Sequence, residues 1–182
     1  PMNETSILEM MALDRNRGFR LLVEEFTEKI YNVSYSILRN RDDAEDATQE
    51  IFLKLHEKLD TFRGQSKLST WIYRISVNHC LNKNRSRENR HVSFHDIEGI
   101  ETVLPGRALG DEDLKMMISD ALDKMPLLFR TILVLKEIEG LSYEEIGAIL
   151  RCRKGTVSSR LHKARRMLRN HLSSAMVLED IP

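Results

Sequence analysis

The chain has 182 residues, and its 28 lysines and arginines are balanced by 28 aspartates and glutamates. That length holds one medium domain or two small ones, and a neutral total at first sight argues against a nucleic-acid partner. Two isolated cysteines, Cys80 and Cys152, with no CxxC spacing exclude a disulfide scaffold and a cysteine-rich zinc site. The sequence shows no secretory apolar region and no run of about 18 apolar residues, so a soluble, cytoplasmic protein without membrane insertion is expected. Pro1 ahead of Met2 reads as a residue added for expression, outside the fold.

The neutral total hides segregation. Between Asp42 and Asp60 there are seven carboxylates against two lysines, whereas Arg151 to His171 holds eight cations and no carboxylate.

Residues 2–13 carry few signals. From Phe19 the apolar residues Leu22, Phe26, Ile30, Val33 and Ile37 recur at intervals of three and four, predicting one long helix or a broken pair ending near Asn40. Asp42 with Glu45 makes a capping pattern for a helix to about Lys58, with Ala44, Ala47, Ile51 and Leu55 inward and Asp43, Asp46, Gln49, Glu50 and Lys54 outward. Four carboxylates within residues 42–46 resemble a metal or acid–base cluster only superficially: first-turn Asp and Glu are what the helix dipole favours, and no nucleophile accompanies them. A solvated acidic face, or a docking face for a basic partner, remains.

Gly64 and its polar neighbours interrupt the pattern over Thr61–Ser69, and a helix resumes around Thr70, ending in the basic run Lys83, Arg85, Arg87 and Arg90. Aromatics beside arginines and an amide suit stacking on unpaired bases. Trp71 reads first as core packing, while Tyr73 and Asn78 carry more weight as contacts. His79 beside Cys80 supplies no metal geometry.

Periodicity disappears from Val92 to Asp113, a linker long enough to argue for two domains. Helices return from Leu114; Pro126 opens the next one and Gly140 ends it. Met116, Met117 and Met125 read as core filler. Ser142 and Glu145 then form a capping box for a short helix carrying Tyr143, Ile146 and Leu150 inward, with Gly147 where a second helix comes close. Thr156 can cap that second helix, whose Val157, Leu161, Ala164 and Leu168 make one apolar stripe opposite the cations. This is a helix-turn-helix pattern sized for a DNA major groove. The tail after Leu172 is expected to fray. The fold class is therefore all-α: two small helical domains, 14–91 and 114–172, joined by a flexible linker over 92–113, the second domain containing the helix-turn-helix.

Three strings in order, DDAEDATQEIFLKL at 42–55, TFRGQSKLSTWIYRISVNHCLNKNR at 61–85, and MPLLFRTILVLKEIEGLSYEEIGAIL with KGTVSSRLHKARRMLR at 125–150 and 154–169, resemble the extracytoplasmic-function (ECF) class of bacterial RNA polymerase sigma factors. The resemblance implies an alternative sigma factor with no catalytic residues, cofactor or metal of its own. It implies docking on the clamp helices of the largest core polymerase subunit through Asp46, Gln49 and Glu50, and a contact with the flap of the second-largest subunit. It assigns minus-10 recognition and melting of promoter DNA to Phe62, Arg63, Gly64, Lys67, Trp71, Tyr73, Arg74, Asn78 and Lys83. It assigns minus-35 recognition to Arg153, Lys154, Thr156, Ser158, Ser159, Arg160, His162, Lys163 and Arg166. Ser158 stands where such proteins often have an arginine, and serine reaches less far and pairs with several base edges. Many relatives are held by an anti-sigma factor, which the resemblance adds as a partner. The competing reading is a two-domain helix-turn-helix regulator that is not a polymerase subunit; such a protein needs no acidic docking helix followed by a single-strand reader.

Overall fold

The computed structural model describes residues 4–90 and 111–179, all of whose regular elements are helical. α1 (Glu4–Leu13) packs across α2 (Arg15–Leu38), which lies against α3 (Arg41–Lys58) and α4 (Leu68–Arg90). A 3₁₀ turn at Leu59–Thr61 follows α3. After the undescribed stretch come α5 (Asp111–Asp123), α6 (Leu127–Leu133) running into a π turn at Val134–Ile138, α7 (Tyr143–Leu150) and α8 (Lys154–Glu179).

Local signals explain most boundaries. Asp14 caps α2 by accepting from the Arg17 N–H at 3.0 Å, and α2 ends on Arg39, whose left-handed φ of 55° turns the chain. α2 is thus one helix, not a broken pair. Residues 4–13, short of sequence signals, are helical because Ile7 is fully buried against α2 and Met11 crosses Gly18, where an added Cβ would lie 2.5 Å from the Met11 backbone. The cap of α3 is Asn40, accepting from the Asp43 N–H at 2.9 Å, so the expected Asp42 cap is corrected by two residues; Asp42 instead lies in the first turn, where its charge suits the helix dipole.

Residues 92–110 of the expected linker, like residue 91 before them, lie outside the described residues, and the linker's last three residues, 111–113, form the first turn of α5. Pro126 sits at the N-cap of α6. Gly140, at φ +66°, makes the turn into α7. The Ser142–Glu145 capping box is present in full: Ser142 Oγ accepts from the Glu145 N–H at 3.2 Å while the Glu145 carboxylate accepts from the Ser142 N–H at 2.8 Å. α8 starts earlier than expected. Thr156 is inside its first turn, with its N–H bonded to the Arg153 carbonyl, so the residue does not cap the helix with its side chain. α8 also continues through the tail expected to fray, as far as Glu179.

The two domains share one apolar core, with Ile30, Ile37, Ile72 and Val77 from the first and Ile132, Leu135, Ile146 and Leu161 from the second. Polar contacts fasten the seam. Arg130, 8% exposed, sends its guanidinium to the Ile37 carbonyl at 2.7 Å and the Leu122 carbonyl at 3.2 Å, satisfying an orphan carbonyl at the end of α2. Arg39 pairs with Asp123 and also reaches the Ser119 carbonyl at 3.2 Å. Burial lowers the proton affinity of Arg130, while the Asp123 carboxylate raises that of Arg39.

Candidate nucleic-acid and docking surfaces

α3 turns Ala44, Ala47, Ile51 and Leu55 into the core and leaves Asp46, Gln49 and Glu50 exposed on one side. Leu53, 66% exposed, lies on the same side, an apolar group among the polar ones that the sequence reasoning passed over. Its signal was present, since Leu53 falls off the inward spacing of Ile51 and Leu55. Glu50 is held from behind: its carboxylate is 3.2 Å from His79 Nε2 and 3.4 Å from the Lys83 ammonium. His79 Nδ1 faces the Lys54 ammonium. Burial, then the Lys54 charge, lower the His79 proton affinity, and Nε2, although near the Glu50 carboxylate, has no hydrogen-bond partner among the described residues. Lys83, assigned to minus-10 DNA, is thus paired with Glu50 of α3 in this arrangement.

The residues assigned to the minus-10 element do not form one surface. Phe62 packs against Trp71 with ring centroids 5.5 Å apart. Arg63 and Gly64 are exposed, and Gly64 at φ +68° makes the loop turn. Lys67 reaches out of the loop to Glu145 of the second domain at 2.9 Å. The loop's exit is fastened by Glu4 of α1, whose carboxylate accepts from the Leu68 N–H at 2.8 Å and so caps α4.

Along α4, Trp71, Ile75, Asn78 and Asn82 follow i, i+4, i+7 and i+11 and line one groove together with Arg74. Tyr73 does not join them. At about 100° per residue, the five positions between Tyr73 and Asn78 put them roughly 140° apart, and Tyr73 is only 4% exposed, under the second domain. Its hydroxyl donates to Glu139. Here the structure reverses the weighting read from the residues alone: Tyr73 packs in the core, and half-buried Trp71 faces the groove. The reason is that the apolar face of α4 is split between its own domain and α7, which no local pattern reveals. Burial and the Glu139 hydrogen bond push the Tyr73 phenol up, and burial pushes Glu139 up against the opposing pull of Tyr73 and Lys29.

On α8, Val157, Leu161 and Ala164 are buried, and Ser159, His162 and Arg166 recur on the outer side, exposed. Arg153 and Ser158 are exposed beside them. The other assigned residues are engaged within the chain. Lys154 pairs with Glu144 at 2.6 Å, and the Lys163 ammonium sits 5.1 Å over the Phe129 ring. Thr156 and Arg160 are half-buried. Arg165 on the other flank pairs with Glu137 of the π turn at 2.6 Å. The turn between α7 and α8 is tight because Gly147 has no side chain: an added Cβ would lie 2.7 Å from the Cys152 carbonyl oxygen. Arg151 turns the corner at φ 52°.

Among the described residues no group of three or more His, Cys, Asp or Glu is placed to hold a metal ion, and no helix is long and apolar enough to cross a membrane.

Comparison with known proteins finds the Sigma-70 region 2 family over residues 22–90 and the Sigma-70 region 4 family over 115–168. The ECF RNA polymerase sigma factor SigW of Bacillus subtilis is 34% identical, the match covering 85% of this chain and 89% of that protein. The ECF sigma-E factor of Haemophilus influenzae is 30% identical over 96% of this chain and 98% of its own. Among solved structures, the sigma factor RpoE of Bartonella quintana, in complex with the anti-sigma factor NepR, superposes with a TM-score of 0.68 at 28% identity, covering 85% of this chain and 96% of that one. With region 2 and region 4 in this order on an all-α fold that ends in a helix-turn-helix, the chain belongs to the ECF class of the sigma-70 family, sigma factors that direct RNA polymerase to promoters and carry out no catalysis of their own.

Proposed function

We propose that the first domain, 14–91, docks on the clamp helices of core RNA polymerase through Asp46, Gln49 and Glu50, with Leu53 at the centre of the patch, and opens the minus-10 region along the Trp71–Asn78 side of α4. The second domain, 114–172, contacts the flap and reads the minus-35 duplex with Ser159, His162 and Arg166 foremost, flanked by Arg153 and Ser158. The observation that carries this reading is the segregation of charge onto solvent-facing sides, acidic on α3 and cationic on α8. A cationic helix face pairs with phosphates and base edges, and an acidic face repels them and suits a basic protein partner.

In the arrangement described, Tyr73 and Lys67 are engaged by the second domain, so the free chain is a closed form. Docking on core separates the domains and frees the loop at 62–67. The chain by itself binds promoter duplex weakly, and promoter-selective binding appears with core polymerase. Run-off transcription with core polymerase and a library of promoters tests the whole reading. Selective transcripts sharing a minus-35 and minus-10 pair support it; transcription without selectivity overturns it.

An anti-sigma factor is a further partner within this proposal, supported by the solved RpoE complex. Its test is inhibition of the same run-off reaction by a protein that co-purifies with the chain and releases it at the onset of transcription.

A further inference from the structure

The two helices that carry the segregated charge present stripes of opposite sign and similar length. On α3, Asp42, Asp46, Gln49 and Leu53 follow i, i+4, i+7 and i+11 and are all exposed, with Glu50 exposed beside them. At a rise of about 1.5 Å per residue that stripe is roughly 16 Å long. On α8, Ser159, His162, Arg166 and Arg169 follow i, i+3, i+7 and i+10, all exposed, over roughly 15 Å. α3 packs on α2 and α4 in the first domain and α8 on α5, α6 and α7 in the second, and neither packing covers the stripe.

Charge within each stripe is left without relief. Asp46, Arg166 and Arg169 form no ion pair with any described residue, whereas Lys163 and Arg165 alongside are engaged by Phe129 and Glu137. Asp46 with Glu50 at i, i+4, and Arg166 with Arg169 at i, i+3, set like charges side by side, which a stripe of the opposite sign offsets. The chain carries such a stripe itself. Its formal net charge is zero, so no overall repulsion holds two copies apart. Leu53, 66% exposed in the middle of the carboxylates, suits the methylene stems of arginines whose guanidinium forks reach past it to carboxylate oxygens.

We propose that the free chain associates with further copies of itself, the α3 stripe of one copy docking on the α8 stripe of another. Asp46 and Glu50 meet Arg166 and Arg169, and Leu53 lies against the arginine stems. Contacts between exposed charges are weak and screened by salt, so the association is transient. It needs only the two stripes. Its consequence rests on the proposed function: each such contact covers one face for core polymerase and one face for duplex DNA, so core polymerase and self-association compete for the chain.

Sedimentation velocity of the full chain, without polymerase or DNA, tests this. At about 0.1 M salt, where charges act over about 10 Å, the weight-average mass should rise with protein concentration; at about 1 M, with a screening length of about 3 Å, it should stay at that of one chain. Asp46→Arg and Arg166→Glu, both at exposed positions outside the core, should each weaken association roughly tenfold or more. Mixed in equal amounts the two variants should associate again, because the intact α8 of the first meets the intact α3 of the second. A chain that stays monomeric at low salt leaves the stripes to other partners and overturns the proposal. Association that persists at high salt, survives either reversal, or fails to return in the mixture overturns it as well. Core capture and run-off transcription, measured on holoenzyme, test the docking and promoter readings separately from all of these outcomes.

Discussion

The Tyr73 hydroxyl of α4 donates a hydrogen bond to Glu139 in the turn before α7, joining the helix proposed to hold the single strand to the domain proposed to read the duplex. Glu139 also faces Glu4 of α1 and Glu25 and Lys29 of α2 across one cavity. Removing the hydroxyl leaves a half-buried carboxylate short of a donor, at a cost of about 1–3 kcal/mol. Tyr73→Phe is therefore expected to loosen the closed form and to speed holoenzyme assembly, without abolishing promoter opening. Association rates with core polymerase, measured by fluorescence anisotropy, check this; an unchanged rate would show that the bond does not restrain opening.

The same contact makes closure depend on pH. Burial raises the Glu139 pKa above its value in the open chain, so closure takes up a proton and strengthens as pH falls through the raised value. The neighbouring Lys67–Glu145 pair does not oppose this: the Ser142 N–H and Lys67 hold Glu145 down to about 2, so it stays ionised throughout. Small-angle scattering should give a smaller radius of gyration at mildly acidic pH than at pH 8. Glu139→Gln, which keeps an acceptor and removes the charge, should flatten the dependence.

On α3, Asp46→Arg combined with Glu50→Arg is expected to abolish capture of core polymerase while the thermal midpoint stays within a few degrees of wild type, since both side chains are exposed. Leu53→Ala truncates an apolar side chain that is 66% exposed, and should cost about 1 kcal/mol or more of core affinity with little loss of stability. Full core binding by the double variant would remove the docking face from α3.

The outer side of α8 predicts a ranking. Arg166→Ala should lower minus-35 duplex affinity in holoenzyme and reduce its salt slope by about one if the contact is to phosphate, or cost about 1–3 kcal/mol and relax the sequence preference if it is to a base. Lys163→Ala should have the smaller effect, because its ammonium already rests on Phe129. Gel shifts over a salt series separate the two; equal losses would mean that Lys163 leaves Phe129 on binding.

Gly147→Ala tests the turn. The new Cβ meets the Cys152 carbonyl, backbone that cannot swing aside, so a loss of about 1–3 kcal/mol and weakened duplex binding are expected. Gly155→Ala in the first turn of α8 meets nothing within the chain and serves as the control for stability.

By itself the sequence determined the elements whose causes are local. The inward line Ala47, Ile51 and Leu55, the Ser142–Glu145 box, the turn at Gly140 and the stripe Val157, Leu161 and Ala164 all follow from spacing and caps within a few residues, and they place the acidic and basic faces correctly. The helix at 4–13 escaped because its stability comes from Ile7 and Met11 against α2, a contact absent from its own pattern. Tertiary structure alone decided which face of α4 is free. An apolar stripe states that something covers it but not what, so Trp71 read as core and Tyr73 as a contact until the packing of α7 buried Tyr73 instead. It likewise decided that Arg130 ends at the Ile37 carbonyl and that Arg151 reaches the groove beside Trp71, since pairings between residues far apart in sequence depend on how whole helices pack.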